Sequence, residues 1–175
     1  MKGKIFNKSE VQSILNGSKV MFREVIKPRI KVENYKLDDG SGIGMEILLE
    51  ECPYQVGQKI FVKERFFVSN YIELRYEANL SIDEKYYWLP AIKMKREHSR
   101  LTLEITNIKV ERLGEISEEN CIKEGISERD GAGLSLRTYE IKDCFRTLWN
   151  ATHKKPEEKF EVNPFVWVVD FKINK

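Results

Sequence analysis

No stretch of this 175-residue sequence is apolar for long enough to span a bilayer, and its first residues, MKGKIFNKSEV, lack the apolar core of a secretory signal. The expected location is the cytoplasm, with no membrane attachment. Cysteine is scarce: Cys52, Cys121 and Cys144 stand far apart with no CxxC pair, against both a disulfide framework and a zinc knuckle. The two histidines, His98 and His153, have no partner at ligand spacing, so no metal and no other cofactor is expected. Glycine and proline are modest, at 10 and 5, which removes collagen-like and disordered readings. A net charge of +2 is too small for a surface that coats nucleic acid, though 30 Lys and Arg leave room for a local basic patch. Walker loop, GxGxxG, HExxH and GxSxG are all missing, so ATP hydrolysis, dinucleotide binding and zinc or serine hydrolase chemistry lack support.

What is present suits one domain over residues 1–175, with 41% hydrophobic and 33% charged residues for a core and its surface. A helix is predicted from Asn7 to Asn16, capped by Ser9, with Val11, Ile14 and Leu15 on one face and Gly17 as its stop. Lys19 to Ile26 reads as a strand closed by Lys27-Pro28, and GIGMEILLEE as another. After a turn at Pro53 and Gly57, KIFVKERFFV reads as one long strand, with Ile60, Val62 and Glu64 on one face. An irregular insertion occupies residues around 69–100. Strict alternation at Leu101, Leu103 and Ile105 marks a half-buried strand. Ser117 caps a short helix running towards Gly125, and Gly131-Ala132-Gly133 marks a loop. Leu136 to Thr152 is the longest helical pattern, and NPFVWVVDFKI is a dense final strand. Trp149, Trp167 and Phe171 read as core. Strands outnumber helices without regular alternation. The expectation is an α+β fold: a small mixed or antiparallel β-barrel with flanking helices.

Three places carry candidate chemistry. Lys19 follows a helix-ending glycine at the start of a strand, where it either points into a cleft as a base or stays solvated. Arg23 shares its face at even spacing, which suits an anionic ligand or an ion pair with a glutamate. LPAIKMKREHSR gathers Lys93, Lys95, Arg96, His98 and Arg100 behind Tyr86, Tyr87 and Trp88. Phosphate pairing beside stacking rings is the chemistry of single-strand recognition, set against a solvated loop with a buried tryptophan. Glu124 ends the Ser117 helix at its negative pole, either exposed or paired with Lys19.

In order along the chain, ILNGSK, CPYQVGQKIFVKERF, WLPAIKMKREHSRLTLEITNIKVERL, ISEENCIKEGI, FRTLWN and NPFVWVVDF resemble the ASCH family, and within it the phage- and prophage-encoded members of this length. That family is a PUA-like β-barrel group associated with RNA. The resemblance implies a PUA-like barrel and RNA or a modified nucleoside as partner. Its GxKxxTxR motif appears here as Gly17, Lys19, Phe22 and Arg23. Phe22 stands where the Thr is expected, and Glu24 where strict spacing places the Arg. Family enzymes remove the acetyl group from N4-acetylcytidine with a Lys, a Thr and a Glu. The Lys maps to Lys19 and the Glu to Glu124, and the Thr has no counterpart. Two functions follow from the resemblance. The first is a binding module whose cleft is lined by Lys19, Arg23, Glu64, Arg100 and Glu124, with Phe22, Trp88, Arg96 and Ser99 as further ligand contacts. The alternative is an amidohydrolase in which Lys19 and Glu124 activate water. The missing hydroxyl favours the first.

Overall fold

The computed structural model describes residues 1–26, 48–68, 74–79, 87–126 and 140–174. The strands found there are β1 (Lys2–Ile5), β2 (Met21–Val25), β3 (Lys59–Lys63), β4 (Phe66–Val68), β5 (Leu74–Tyr76), β6 (Thr102–Arg112) and β7 (Phe165–Ile173). Helices α1 (Lys8–Leu15), α2 (Glu118–Lys123) and α3 (Ile141–Thr152) accompany them. Lys27-Pro28, Tyr71, Tyr86, Gly131-Ala132-Gly133 and the start of the Leu136 pattern lie outside the described residues.

Five strands form one sheet in the order β1-β3-β6-β7-β2, antiparallel at every pairing except the parallel β1–β3 edge. The expected barrel does not form. β1 and β2 are the two edges of the sheet, and no backbone ladder joins them among the described residues. Side chains bridge the seam instead: Lys4 Nζ lies 2.8 Å from Glu24 Oε2, and Tyr54 donates to the same oxygen at 2.8 Å. Two strands joined through side chains stand further apart than the roughly 4.8 Å of a hydrogen-bonded ladder. The fold is an open α+β sheet.

The run 59–68 is not one strand either. It breaks at Glu64-Arg65, and Phe66–Val68 pairs with Leu74–Tyr76 in a separate two-stranded sheet. In line with the buried Ile60 and Val62, the Glu64 carboxylate must find a partner or leave the apolar face. Arg100 provides that partner as the chain turns away. Of GIGMEILLEE, residues 42–47 lie outside the described residues, while 48–50 are helical rather than extended. The cap of α1 is Asn7, not Ser9. Asn7 Oδ1 accepts from the Glu10 N–H, and the Glu10 carboxylate accepts from the Asn7 N–H. Val11 and Ile14 are buried, and Leu15 is exposed.

The two faces of the sheet carry different loads. Val11 and Ile14 of α1 pack on one face against Phe22, Leu103, Ile105, Trp167, Val169 and Phe171. A β-bulge between Ile105 and Asn107 then resets the alternation of β6. Beyond it Ile108 and Val110 keep to the same apolar cluster, and Lys109 and Glu111 fall on the opposite face. There they join Met21, Arg23 and Val25 of β2 and Val166 and Val168 of β7, with Cys121, Phe145 and Trp149 of α2 and α3 packed above. Between β4 and β6 the described residues are anchored by buried Ala78, Ala91 and Met94.

Candidate functional site

Gly17 turns the chain out of α1 with a φ of 80°. Lys19 then makes an antiparallel bridge with Glu124: its N–H donates to the Ser13 carbonyl, and the Val20 N–H donates to the Lys123 carbonyl, each at 2.9 Å. Glu124 is the C-cap of α2, whose other end is capped by Ser117 Oγ accepting from the Asn120 N–H. Gly125 follows with a φ of 87°, and a Cβ there would stand 2.9 Å from Ser13 Cβ and 3.0 Å from Lys19 Cβ. Only glycine permits this approach. It brings Lys19 Nζ against the helix end, where it donates to Glu124 Oε2 at 2.8 Å and to the Glu124 carbonyl at 2.9 Å. Glu10 Oε1 lies 3.6 Å away as a third acceptor. The cation thus answers both a bare helix carbonyl and a carboxylate at the negative pole.

The second oxygen of Glu124 is also engaged, by Arg23 Nη1 at 2.8 Å. Arg23 stands beside Val168 of β7 and reaches across that strand to Glu111 Oε1, with Nε at 3.0 Å and Nη2 at 2.6 Å. Lys109 Nζ holds Glu111 Oε2 at 2.7 Å. The chain of pairs therefore runs Glu10–Lys19–Glu124–Arg23–Glu111–Lys109, each cation between or beside carboxylates. Lys19, Arg23 and Glu124 are 3%, 6% and 8% exposed, so the pairing is a condition of their burial. Burial pushes the Glu111 carboxyl up, but Lys109 and Arg23 outweigh it and hold it below 4.5. Cys121, fully buried beneath this network, has its thiol pushed up to about 11, chiefly by burial, which makes it a poor nucleophile.

A cavity of about 290 Å³ opens over the network, in the seam between the sheet edges. Lys4 and Phe6 line it from the β1 side, Glu10 and Ser13 from α1, and Phe22 and Arg23 from β2. Across from them α3 contributes Phe145, Leu148 and Trp149, with His153 just beyond its end. Phe22 is nearly fully buried, set edge-on to Phe6 and Tyr54, with Lys4 Nζ 4.4 Å from its ring centre. Little of its face remains for a ligand. The aromatic wall is instead His153, half-buried and stacked at 3.8 Å and 10° on the buried Trp149. His153 Nδ1 lies 3.1 Å from both the Trp149 carbonyl and Thr152 Oγ1. Its Nε2 has no hydrogen-bond partner among the described residues, and Ser13 Oγ has none there either.

Not every residue singled out in the sequence lies here. Lys19, Phe22, Arg23 and Glu124 share this cavity, whereas Glu64 and Arg100 form a separate pair. Arg100 Nε and Nη2 hold Glu64 Oε1 and Oε2 at 2.8 and 2.9 Å, and Glu64 lines a second cavity of about 290 Å³. Ser99 Oγ donates to the Val62 carbonyl, Arg96 Nη2 donates to Thr102 Oγ1, and Trp88 is half-buried. None of these three lines either cavity. Glu10, Ser13, Glu111 and His153 were not singled out in the sequence. Glu10 and Ser13 are legible as an i, i+3 pair on one helix face. Glu111 is foreshadowed by the apolar spacing of three between Ile105 and Ile108, the mark of a bulge.

Among the described residues no helix is long and apolar enough to cross a membrane, and no three His, Cys, Asp or Glu side chains group to hold a metal. No family model and no curated protein matches the chain. Solved structures similar to it include the following two. A DUF984-family protein from Enterococcus faecalis is 11% identical, over 99% of this chain and 76% of its own, with a TM-score of 0.45. An ASCH domain from Lactobacillus crispatus is 13% identical, over 98% of this chain and 78% of its own, with a TM-score of 0.42. Overlaps this loose decide neither fold nor function.

Proposed function

We propose that the seam cavity binds a nucleobase, free or within RNA, and does not hydrolyse it. The observation that carries this reading is the closed chain of ion pairs from Glu10 to Lys109, which leaves the buried charges of the cavity already answered. A phosphate entering it would have to displace a carboxylate from a buried cation. A neutral planar ligand would not. Such a ligand lies against the His153 ring, which Trp149 backs from beneath, and stacking of this kind is worth about 1–3 kcal/mol per base in single-strand binders. Ser13 Oγ, which can both donate and accept, and the unpaired ring nitrogen His153 Nε2 face it with hydrogen-bonding capacity. The exposed Lys93, Lys95 and Arg96 supply the salt-dependent part of binding to a longer strand.

Amide hydrolysis of an acylated nucleoside such as N4-acetylcytidine is the second reading, favoured by the 2.8 Å contact of Lys19 and Glu124 on the cavity wall. Against it stand the two hydrogen bonds already drawn from Lys19 Nζ and the lack of a hydroxyl at Phe22. The test is a titration with cytidine, N4-acetylcytidine and short RNA, followed by the backbone amide shifts of residues 124–126 and 148–153. Saturable shifts in these amides are expected. If no nucleoside and no RNA moves them, the seam cavity is not a nucleobase site.

A further inference from the structure

We infer that Glu10 makes the seam cavity selective for bases with an exocyclic amine, cytosine and adenine, over their carbonyl counterparts, uracil and hypoxanthine. The inference rests on the reading of this cavity as a nucleobase site and names the group that chooses the base. Glu10 lines the cavity from α1, with its side chain 35% exposed. Its Oε2 is committed to the Asn7 N–H at 2.9 Å, within the cap of the helix. Its Oε1 accepts no hydrogen bond among the described residues, and Lys19 Nζ, at 3.6 Å, stands too far away to donate one.

The other cations and carboxylates of the lining are already committed. The side chains of Arg23 and Glu124 are 0% and 7% exposed, and both oxygens of Glu124 are taken. Lys19 is 3% exposed and makes two hydrogen bonds from Nζ, and Lys4 is turned to Glu24 and the Phe22 ring. Glu10 is the one among them that combines exposure with an unpaired oxygen, and a carboxylate oxygen only accepts. An exocyclic amine brings it an N–H. A carbonyl in the same place sets oxygen against oxygen, and a ring turned to offer its imino N–H still holds that carbonyl beside the carboxylate. Ser13 Oγ, one turn along the same face of α1, donates and accepts, so it serves either kind of base. His153 Nε2 does so according to its tautomer. Asn7 Oδ1 is taken by Ser9 and Glu10, which leaves Nδ2 as an uncharged donor. A hydrogen bond to a charged carboxylate outweighs one from such an amide. The carboxylate sets the preference.

The decisive experiment titrates the unmodified protein with cytidine, uridine, adenosine and inosine, following the backbone amides of Gly125, Ile126 and Leu148 in the seam. Cytidine is expected to bind about ten-fold more tightly than uridine, and adenosine more tightly than inosine by a similar factor. Glu10→Gln keeps an oxygen for the Asn7 N–H and adds a donor, so the helix cap survives while both ratios fall to about one. Ser13→Ala is expected to weaken all four nucleosides alike. Equal binding within each pair, tighter binding of uridine, or ratios retained in Glu10→Gln would each overturn the inference and leave the nucleobase reading standing. Ratios lost in Ser13→Ala instead would assign the choice to Ser13 and overturn it as well. Seam amides unmoved by all four nucleosides would overturn the nucleobase reading and this inference with it.

Discussion

Two cavities flank the Phe6–Asn7 segment, each built on a buried glutamate, and they differ in how that glutamate is paired. Glu124 is claimed at both oxygens by different cations, Lys19 and Arg23, which arrive from the same strand region two side chains apart on one face. Glu64 is claimed by one arginine fork from a single side. The first arrangement consumes the carboxylate as structure and leaves recognition to α1 and the His153 ring. The second closes on itself as one bidentate pair in the wall of its cavity. The two carboxylates are alike in burial, both under a tenth exposed, and differ in the number of cations that hold them.

That contrast breaks most visibly in stability. Glu124→Ala strands Lys19 and Arg23 together in the interior, and a loss of about 3–5 kcal/mol is expected from urea midpoints. Lys19→Met combined with Glu124→Leu is expected to restore part of it, because an apolar pair replaces a broken ionic one. A single variant as stable as the parent protein would mean that the network does not act as a unit. Glu64→Gln is expected to cost less, about 1–3 kcal/mol, since Arg100 is 20% exposed and can turn its head towards water. A larger loss there than for Glu124→Ala reverses the comparison.

Acid sharpens it further. Burial pushes Glu111 and Glu24 up, but Lys109 and Arg23 on the first, and Lys4 on the second, hold both below the ordinary 4.5. Carboxyls depressed on folding contribute stability that is complete above 4.5 and is lost as pH falls through their folded values. Lys109→Met should flatten part of that acid loss in a series of urea midpoints taken from neutral pH downwards. An unchanged pH profile would show that Lys109 does not set the Glu111 titration. The smallest effect expected is that of Asn7→Ala, about 1 kcal/mol from the lost cap of α1. Calorimetry would show it, and Ser9→Ala should cost less if Asn7 is the true cap.

Much of the framework was legible because its signals are local. The apolar faces at Val11 and Ile14, at Leu103 and Ile105 and along residues 165–173 all point to the core, and Ser117 caps the helix it was expected to cap. Two kinds of feature were not legible. Closure of the sheet depends on how far apart two distant edges stand, and no periodicity encodes the side-chain bridge from Lys4 to Glu24. The break at Glu64 was visible only as a charged residue in an apolar register, which reads equally as an end of strand or as a paired carboxylate. Grouping residues into one cleft failed for the same reason. Lys19 and Arg23 share a strand region and stay together, but Glu64 and Arg100 meet each other rather than them.

The most direct measurement is to incubate the protein with N4-acetylcytidine, follow the acetyl group by chromatography and record binding in the same samples. Saturable binding with no deacetylation above the buffer rate is the expected result, because Lys19 is committed to Glu124 and no hydroxyl stands at Phe22. Turnover by the unmodified protein that disappears in Lys19→Ala would contradict it and make the cavity a catalytic site.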